Sequence, residues 1–326
     1  MNRLDIPQTA QLLLQQDDIL ILTHQSPDGD TMGSGYSLCL ALQQLGKRAM
    51  VLCTDPIPKR MTFVAEHLDP ALTLENPDQA KFVVAVDIAD VKLMGSGLAA
   101  YQLPGTVDLC IDHHPSNKEY AKNLLLCGEE AAACQILFDV ICAMGCEISK
   151  PIAECLYLGI STDTGCFRYS NTQPRSHQIA AKLMETGIDW YQINKTMFEV
   201  KSQQQMELER QALQTLRLCC GGKAAMICIT QEMLASSGAT LEDTEGIPSV
   251  PRNIEGVSIG ATLKERPEGG FKISIRTDED VDASEICAAF GGGGHKRAAG
   301  CLIKEPMEQV MTLLEAQFEA VLSGGK

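Results

Sequence analysis

A buried strand that ends in one acid and two imidazoles decides the fold of this chain: Thr106-Val107-Asp108-Leu109-Cys110-Ile111-Asp112-His113-His114. Polar groups of these kinds, leaving a buried strand together, predict a metal or phosphoryl-transfer site. The alternative is that Asp112 caps a following helix while His113 and His114 are polar loop residues. Acids at the ends of three further apolar segments favour the site.

Those three segments are two strands and one helix. They deliver His24, Asp28 and Asp30 after the strand at 17–23, Asp87 after the strand at 82–86, and Asp163 after the helix at 152–160. Apolar strands that alternate with helices predict an α/β fold with a parallel sheet. Because ligands of such sheets gather beyond the carboxyl ends of the strands, we expect these side chains to meet at one edge.

Local signals place the helices and divide the chain. Gly33-Ser34-Gly35 is predicted to open a helix over 36–45, and further helices are predicted at 129–144, 152–160 and 174–185. A chain of 326 residues exceeds the usual size of one domain. We expect a catalytic domain over 1–190, a helical linker over 191–219, because 195–218 is charged and free of helix breakers, and a smaller α/β domain over 220–326.

Composition restricts the partners. The chain carries 42 acids and 27 bases, a net charge of −15, which disfavours binding of long DNA or RNA but allows a small phosphorylated ligand. No apolar run reaches membrane length and no signal peptide is recognisable, so we expect no membrane association and a cytoplasmic location. Most of the 14 cysteines lie in apolar runs, which predicts buried, reduced thiols. We expect no zinc site.

The crowding of acids predicts bound cations. Carboxylates at one sheet edge repel one another unless cations neutralise them. The donors are oxygens and imidazoles without thiolate, which favours manganese or magnesium. Two such ions would activate a water and hold an in-line phosphoryl displacement, so hydrolysis of a phosphate ester or anhydride is predicted.

The motifs in combination resemble a known family. His24-x-x-x-Asp28-x-Asp30, Asp87, Asp112-His113-His114 and Asp163 look like the four motifs of the DHH phosphoesterase superfamily, and the segment 290–300, with Gly291-Gly292-Gly293-Gly294-His295, looks like the glycine-rich motif of the DHHA1 domain. The chain is most similar in size and layout to the bacterial nano-RNases and 3'-phosphoadenosine 5'-phosphate phosphatases.

This resemblance implies roles for single residues. It implies one manganese ion held by His24, Asp28 and Asp87 and a second held by Asp30, Asp87, His113 and Asp163, with Asp87 as the bridge. It further implies that Asp112 orients an imidazole and that His114 faces the substrate phosphate. Both ions could instead be magnesium, and the resemblance allows a homodimer.

The second domain offers a candidate anion cradle. Four glycines can simply form a flexible loop. Here Gly291, Gly292, Gly293 and Gly294 precede His295 and two cations, so exposed backbone amides could hold a phosphate. Lys272, Ser274 and Arg276, on a predicted strand, could add to it. Arg252 is a weaker candidate, because 251–253 is equally a solvated turn.

Three kinds of function compete. The favoured one is hydrolysis of very short oligonucleotides and of 3'-phosphoadenosine 5'-phosphate, a nucleotide bisphosphate. Related enzymes are alternatives: a pyrophosphatase or a phosphodiesterase of linear or cyclic dinucleotides. A nucleotide-binding regulator without chemistry would be expected to lack one or more of the ligands. A nuclease of long strands is disfavoured because residues 220–326 carry 10 bases and 16 acids.

Overall fold

The computed structural model describes residues 1–244, 246–278 and 280–324, without the side chains of Glu242 and His295. The chain forms two compact units, 1–200 and 201–326. In the described residues, no helix is both long and apolar enough to cross a membrane.

The first unit contains the predicted parallel sheet, which is confirmed. Its strands are β1 (Asn2–Arg3), β2 (Ile19–Leu22), β3 (Ala49–Leu52), β4 (Phe82–Val86), β5 (Leu109–Asp112) and β6 (Asn123–Leu126). They are ordered β1-β6-β5-β4-β2-β3 and every pairing is parallel. β2 is a continuous apolar run, and so is β5 up to Ile111, because both faces of the sheet are covered. The order reverses at β2, where β3 and β4 lie on opposite sides, and this switch point is where ligands of such sheets bind.

Six helices belong to this unit: α1 (Ile6–Leu14), α2 (Gly29–Gln44), α3 (Ala133–Ala143), α4 (Lys150–Asp163), α5 (Pro174–Glu185) and α6 (Trp190–Asn194). The predicted bounds of α5 are confirmed. The predicted start of the second helix was wrong: it begins at Gly29, not near Tyr36, because the Asp28 side chain caps it by accepting from the N–H groups of Asp30 and Thr31.

The glycines of α2 let it pack closely on α4. A Cβ atom at Gly33 would lie 2.3 Å from the carbonyl oxygen of Cys155, and one at Gly29 would lie 2.3 Å from Oγ1 of Thr162. On α4, a Cβ atom at Gly159 would lie 2.6 Å from Oδ1 of Asp30. Glycine lowers the helix propensity of the first turns of α2, but the close packing on α4 requires glycine at positions 29 and 33.

The expected linker is not one helix. After α6, a π-helical turn (Lys195–Glu199) ends at Val200, and α7 (Gln203–Leu213) belongs to the second unit and precedes a strand. The absence of Gly and Pro from 195–218 was insufficient evidence for a continuous helix, because Val200 adopts an extended conformation. The boundaries at 190 and 220 stay a prediction.

The second unit is a mixed sheet with helices. Its strands are β7 (Arg217–Cys219), β8 (Ala224–Ile229), β9 (Ile259–Glu265), β10 (Phe271–Thr277), β11 (Gly293–His295) and β12 (Ala298–Ile303), in the order β11-β12-β10-β9-β8-β7; its other helices are α8 (Gln231–Ser237), α9 (Ala283–Ala288) and α10 (Met307–Gly324). On β10, Phe271, Ile273 and Ile275 are buried in the core with residues of α9 and α10. The alternate residues Lys272, Ser274 and Arg276 therefore share the other face.

Candidate metal centre

The ends of three neighbouring strands supply most of the centre. His24 follows β2 closely, Asp87 directly follows β4, and His113 and His114 directly follow β5. Asp28 and Asp30 come from the N-terminal end of α2, and Asp163 is the last residue of α4. The sheet thus brings together the residues predicted from the sequence at the carboxyl edge of its central strands.

Two imidazoles face the carboxylates. Nε2 of His24 lies 3.6 Å from Oδ1 of Asp28 and 3.6 Å from Oδ2 of Asp87. Nε2 of His113 lies 3.4 Å from Oδ1 of Asp87, 3.3 Å from Oδ2 of Asp163 and 3.8 Å from Oδ2 of Asp30. These distances are long for hydrogen bonds, and they leave room for an ion between the donors.

Backbone carbonyls orient both imidazoles. Nδ1 of His24 lies 2.9 Å from the carbonyl oxygen of Gln25, and Nδ1 of His113 lies 3.1 Å from that of Glu130. Because a carbonyl can only accept, Nδ1 carries a proton, and Nε2 is the nitrogen that faces the carboxylates and could bind a cation in place of its own proton. This arrangement is typical of metal-binding histidines.

Asp30 is held in place from the next helix. The N–H groups of Ala133 and Cys134, at the start of α3, donate to its two carboxylate oxygens at 2.6 and 3.0 Å. Asp30 is fully buried. The helix terminus stabilises the negative charge without occupying the oxygens completely, since a carboxylate can accept several bonds.

Asp87 provides the test of whether the residues fit a cation. It is 3 % exposed, it adopts a left-handed conformation with φ of 58°, and its Oδ1 accepts no hydrogen bond from the described residues. A buried carboxylate oxygen without a partner is costly, and a positive φ costs a non-glycine residue about 1–3 kcal/mol. A divalent ion would satisfy this oxygen, so the residues present fit a metal.

The pKa values show how strongly the carboxylates repel one another. Burial and the charge of Asp87 raise the pKa of Asp30 to about 7, and burial and the charge of Asp30 raise the pKa of Asp163 well above its ordinary value. Burial would lower the pKa of His113, but Asp87 and Asp163 raise it to about 11. Burial would raise the pKa of Asp87, but the imidazoles of His113 and His24 hold it well below its usual range. A cluster that takes up protons so readily also attracts cations.

Among the described residues, three overlapping groups have donor atoms close enough to hold an ion: His24, Asp28 and Asp87; Asp30, His113 and Asp163; and Asp87, His113 and His114. The first group is the ligand set that the resemblance implies for one ion. The second group contains the ligands implied for the other ion except Asp87. In the third, Nδ1 of His114 lies 2.7 Å from Oδ1 of Asp112 and only 3.5 Å from Asp87, so this nitrogen is engaged by Asp112.

Asp112 is fully buried and orients its neighbours. Its Oδ1 accepts from the N–H groups of His113 and His114 at 2.8 and 3.3 Å, as well as from Nδ1 of His114. Its Oδ2 accepts from the side-chain amide of Asn117 at 2.6 Å. Sequence reasoning missed Asn117, although its place five residues after Asp112 and at the end of the polar loop was a usable signal.

In the second unit, two glycines of the predicted cradle, Gly292 and Gly294, leave no room for a Cβ atom, whereas no atom of the described residues lies within 4 Å of one at Gly291 or Gly293. Gly293 and Gly294 lie in β11, and a Cβ atom at Gly292 would lie 2.3 Å from the carbonyl oxygen of Gly300 on β12. Gly291 and Gly294 have positive φ values of 71° and 147°. The side chain of His295 lies outside the described part, and Arg252 forms an ion pair with Asp278 at 3.0 Å.

A basic cleft of about 230 Å³ lies on the polar face of β9 and β10, the face that carries Arg276 and Ser274. Lys264 of β9 is directly opposite Lys272 of β10, and burial together with Lys272 lowers the pKa of Lys264. Thr262, opposite Ser274, is buried, and its hydroxyl has no hydrogen-bond partner among the described residues. Two cations directly opposite each other repel, so this cleft favours an anion.

Comparison with protein families gives two matches. The DHH family, N-terminal domain, matches residues 18–160, and the DHHA1 domain matches residues 211–323.

Relatives cover most of the chain. The "Bifunctional oligoribonuclease and PAP phosphatase NrnA" of Thermus thermophilus is 32% identical over 286 residues, which are 88% of this chain and 84% of that protein. The protein of the same name from Bacillus subtilis is 22% identical and covers 88% of this chain and 90% of its own length. The crystal structure of an exopolyphosphatase-related protein from Bacteroides fragilis superposes with a TM-score of 0.86 at 26% identity, covering 97% of this chain and 95% of that one.

Proposed function

The chain belongs to the DHH family and carries a DHHA1 domain, and on that basis we propose that it is a manganese-dependent phosphoesterase of short oligonucleotides and of 3'-phosphoadenosine 5'-phosphate. The observation that carries the proposal is the meeting of four carboxylates, one of them that of Asp87, and two imidazoles at the sheet edge. The names of the relatives supply the substrate classes.

We assign the ligands as follows. His24, Asp28 and Asp87 would hold one ion, and Asp30, Asp87, His113 and Asp163 would hold the other, so that Asp87 would be shared. The separate ion-pair contacts of Oδ1 with His113 and Oδ2 with His24 support this division. The mixture of oxygen and imidazole donors without thiolate supports manganese or magnesium over structural zinc.

When bound, divalent ions would lower the pKa of a coordinated water and offset the negative charge of the phosphate. The side chains contribute positioning. Asp112 accepts the Nδ1 proton of His114, so Nε2 is the nitrogen that can bind a phosphate oxygen or deliver a proton to the leaving group. The raised pKa of His114, which burial opposes and Asp112 favours, suits a proton donor.

The basic cleft would hold a second phosphate of the substrate. Lys264, Lys272 and Arg276 supply charge, and the unsatisfied hydroxyl of Thr262 supplies a donor. Lysine and arginine bind phosphate through charge-assisted hydrogen bonds. A substrate with two phosphate groups would therefore be favoured over a simple monoester. The Gly291 to His295 segment stays a second predicted contact of this unit.

One experiment tests the proposal. The purified protein would be freed of metal with a chelator, reloaded with manganese or magnesium, and assayed against dinucleotides, 3'-phosphoadenosine 5'-phosphate, pyrophosphate and cyclic dinucleotides. We expect manganese to restore hydrolysis of the first two. Hydrolysis of pyrophosphate or cyclic dinucleotides alone would assign the centre to another reaction, and no hydrolysis of any substrate would favour a binding protein.

A further inference from the structure

We propose that Asn117 is a positioning residue that fixes the ring of His114 through Asp112 and also braces the backbone turn at Asp87. The inference rests on the proposed function, because it assigns to Asn117 a part in holding the residues of that centre. Asn117 is neither a predicted ligand nor one of the residues that face the carboxylate cluster.

The first contact of Asn117 completes the hydrogen bonding of Asp112. Nδ2 of Asn117 donates to Oδ2 of Asp112 at 2.6 Å, while Oδ1 of Asp112 accepts three bonds from His113 and His114. Without Asn117, Oδ2 would be a buried carboxylate oxygen that has lost this donor, and the carboxylate could rotate away from Nδ1 of His114. A buried acceptor that loses its partner is expensive, so the rearrangement would be favoured.

The second contact reaches the neighbouring strand end. Nδ2 of Asn117 lies 3.3 Å from the carbonyl oxygen of Ile88, which also accepts from the hydroxyl of Tyr120 at 2.9 Å. Ile88 directly follows Asp87, whose φ of 58° is unfavourable for a non-glycine residue. Together with the Cys110 thiol, whose Sγ lies 3.8 Å from the same oxygen, these donors help to hold the conformation that aims the Asp87 carboxylate.

The orientation of the Asn117 amide is itself determined. Its Oδ1 accepts from the N–H group of Glu119 at 2.7 Å, and its own N–H group donates to the carbonyl oxygen of His114 at 3.0 Å. Because Oδ1 is used as an acceptor, the amide nitrogen must be the atom that faces Asp112. The loop from His114 to Glu119 thus places Nδ2 of Asn117 within hydrogen-bonding distance of residues at the ends of two strands, Asp112 of β5 and Ile88 after β4.

Three variants separate this role from simple packing. Asn117→Ala removes both contacts. Asn117→Asp keeps the shape but places a second carboxylate against Asp112, and a packing role would tolerate it. Tyr120→Phe is the comparison variant, because it removes another donor to the same Ile88 carbonyl but keeps the contact of Asn117 with Asp112, so it measures the bracing contact alone.

Two measurements are made on each variant, after thermal unfolding has confirmed that it is folded. Steady-state kinetics on a dinucleotide should show kcat lower by about 10- to 100-fold for Asn117→Ala and Asn117→Asp, with KM changed much less, and a smaller loss of kcat for Tyr120→Phe, which keeps the contact of Asn117 with Asp112. Nitrogen-15 NMR of the imidazoles, on metal-free protein at alkaline pH, should show His114 protonated at Nδ1 in the wild type and in Tyr120→Phe, but a mixture of tautomers in Asn117→Ala.

The outcomes are distinct. An unchanged His114 tautomer in Asn117→Ala, or a loss of kcat no larger than that of Tyr120→Phe, would overturn the inference. Wild-type activity of Asn117→Asp would overturn it as well. If the wild type hydrolyses none of the substrates but the tautomer changes as expected, the proposed function fails while the positioning role stands.

Discussion

Asp87 is the residue on which the two-ion assignment depends. Asp87→Asn keeps the size of the side chain and tolerates a positive φ, but the amide lacks the charge that two ions would share. We therefore expect manganese content, measured by elemental analysis, to fall from two ions per chain toward none. Asp78→Asn, an exposed acid outside the centre, is the control and should keep its manganese. Full occupancy in Asp87→Asn would refute the bridge.

Asp18 carries a separate prediction about pH. The hydrogen bond from Lys81, opposed by burial and helped by Arg48, lowers the pKa of Asp18. A lowered pKa in the folded state contributes stability above the ordinary value of 3.8, and that stability is lost as pH falls through the folded value. Asp18→Asn, which also tolerates the φ of 53°, should thus be less stable than the wild type at neutral pH.

The measurement is urea unfolding of both proteins from neutral to acidic pH. The difference in free energy of unfolding should shrink only below pH 3.8, where the wild-type carboxylate takes up its proton. A difference that stays constant down to the most acidic pH would show that the ion pairs with Lys81 and Arg48 contribute nothing.

At the scale of single residues, the sequence predicted which acids and histidines belong to the site better than it predicted the residues that they contact. His24, Asp87 and Asp163 were recognisable because acids and imidazoles at the ends of apolar segments have few structural reasons to be there. Asn117, Lys264 and Thr262 were missed because each is ordinary in its own segment. The roles of Lys264 and Thr262 depend on the facing residues of β10, which the register of the sheet supplies, and the role of Asn117 depends on how the loop folds back onto Asp112.

The packing of α2 on α4 determines where Asp30 lies. Gly159→Ala would place a Cβ atom 2.2 Å from Sγ of Cys134 and 2.6 Å from Oδ1 of Asp30, while Gly33→Ala would meet the backbone of Cys155 instead. Overpacking costs about 1–3 kcal/mol, so both variants should unfold at lower urea concentration. Manganese affinity, measured by titration, should fall mainly in Gly159→Ala. Equal losses of affinity would contradict a direct effect on Asp30.

The polar face of β9 and β10 predicts which substrates depend on the second unit. Lys264→Ala or Arg276→Ala should raise KM for 3'-phosphoadenosine 5'-phosphate by roughly 10- to 100-fold, since a charged hydrogen bond contributes about 1.5–3 kcal/mol. Hydrolysis of p-nitrophenyl phosphate, which has no second phosphate, should be nearly unchanged, and so should manganese content. Lys304→Ala, outside the cleft, is the matched control. Equal loss on both substrates would exclude a phosphate-binding role.

The bounds of a helix or strand were predictable where a single sequence signal was strong. β4 and α5 begin and end as predicted, because an apolar run marks the strand and Pro174 marks the start of the helix. The start of α2 was misplaced because three glycines outweighed the capping signal of Asp28. β11 was missed because a run of glycines has no alternating pattern, and its pairing with β12 depends on close backbone approach.

The charge of the whole molecule predicts a preference for short substrates. With a net charge of −15, each additional phosphate of a longer strand meets a repulsive field. We expect kcat/KM for a ten-nucleotide strand to be at least about tenfold below that for a dinucleotide, a difference of about 1.4 kcal/mol. The ratio should decrease at high salt, which screens the repulsion. Faster hydrolysis of the long strand at low salt would contradict the charge argument.

The spread of the proposed ligands along the chain has a consequence for biosynthesis. From His24 to Asp163 the ribosome must add 139 residues, which at roughly 5–20 residues per second takes about 7–28 s. During that interval β2 and its histidine exist without the helix that supplies the last carboxylate. A nascent chain therefore passes through a period in which only part of the coordination shell has been made, and tight capture of manganese would mark the moment at which the first 163 residues have been synthesised and folded.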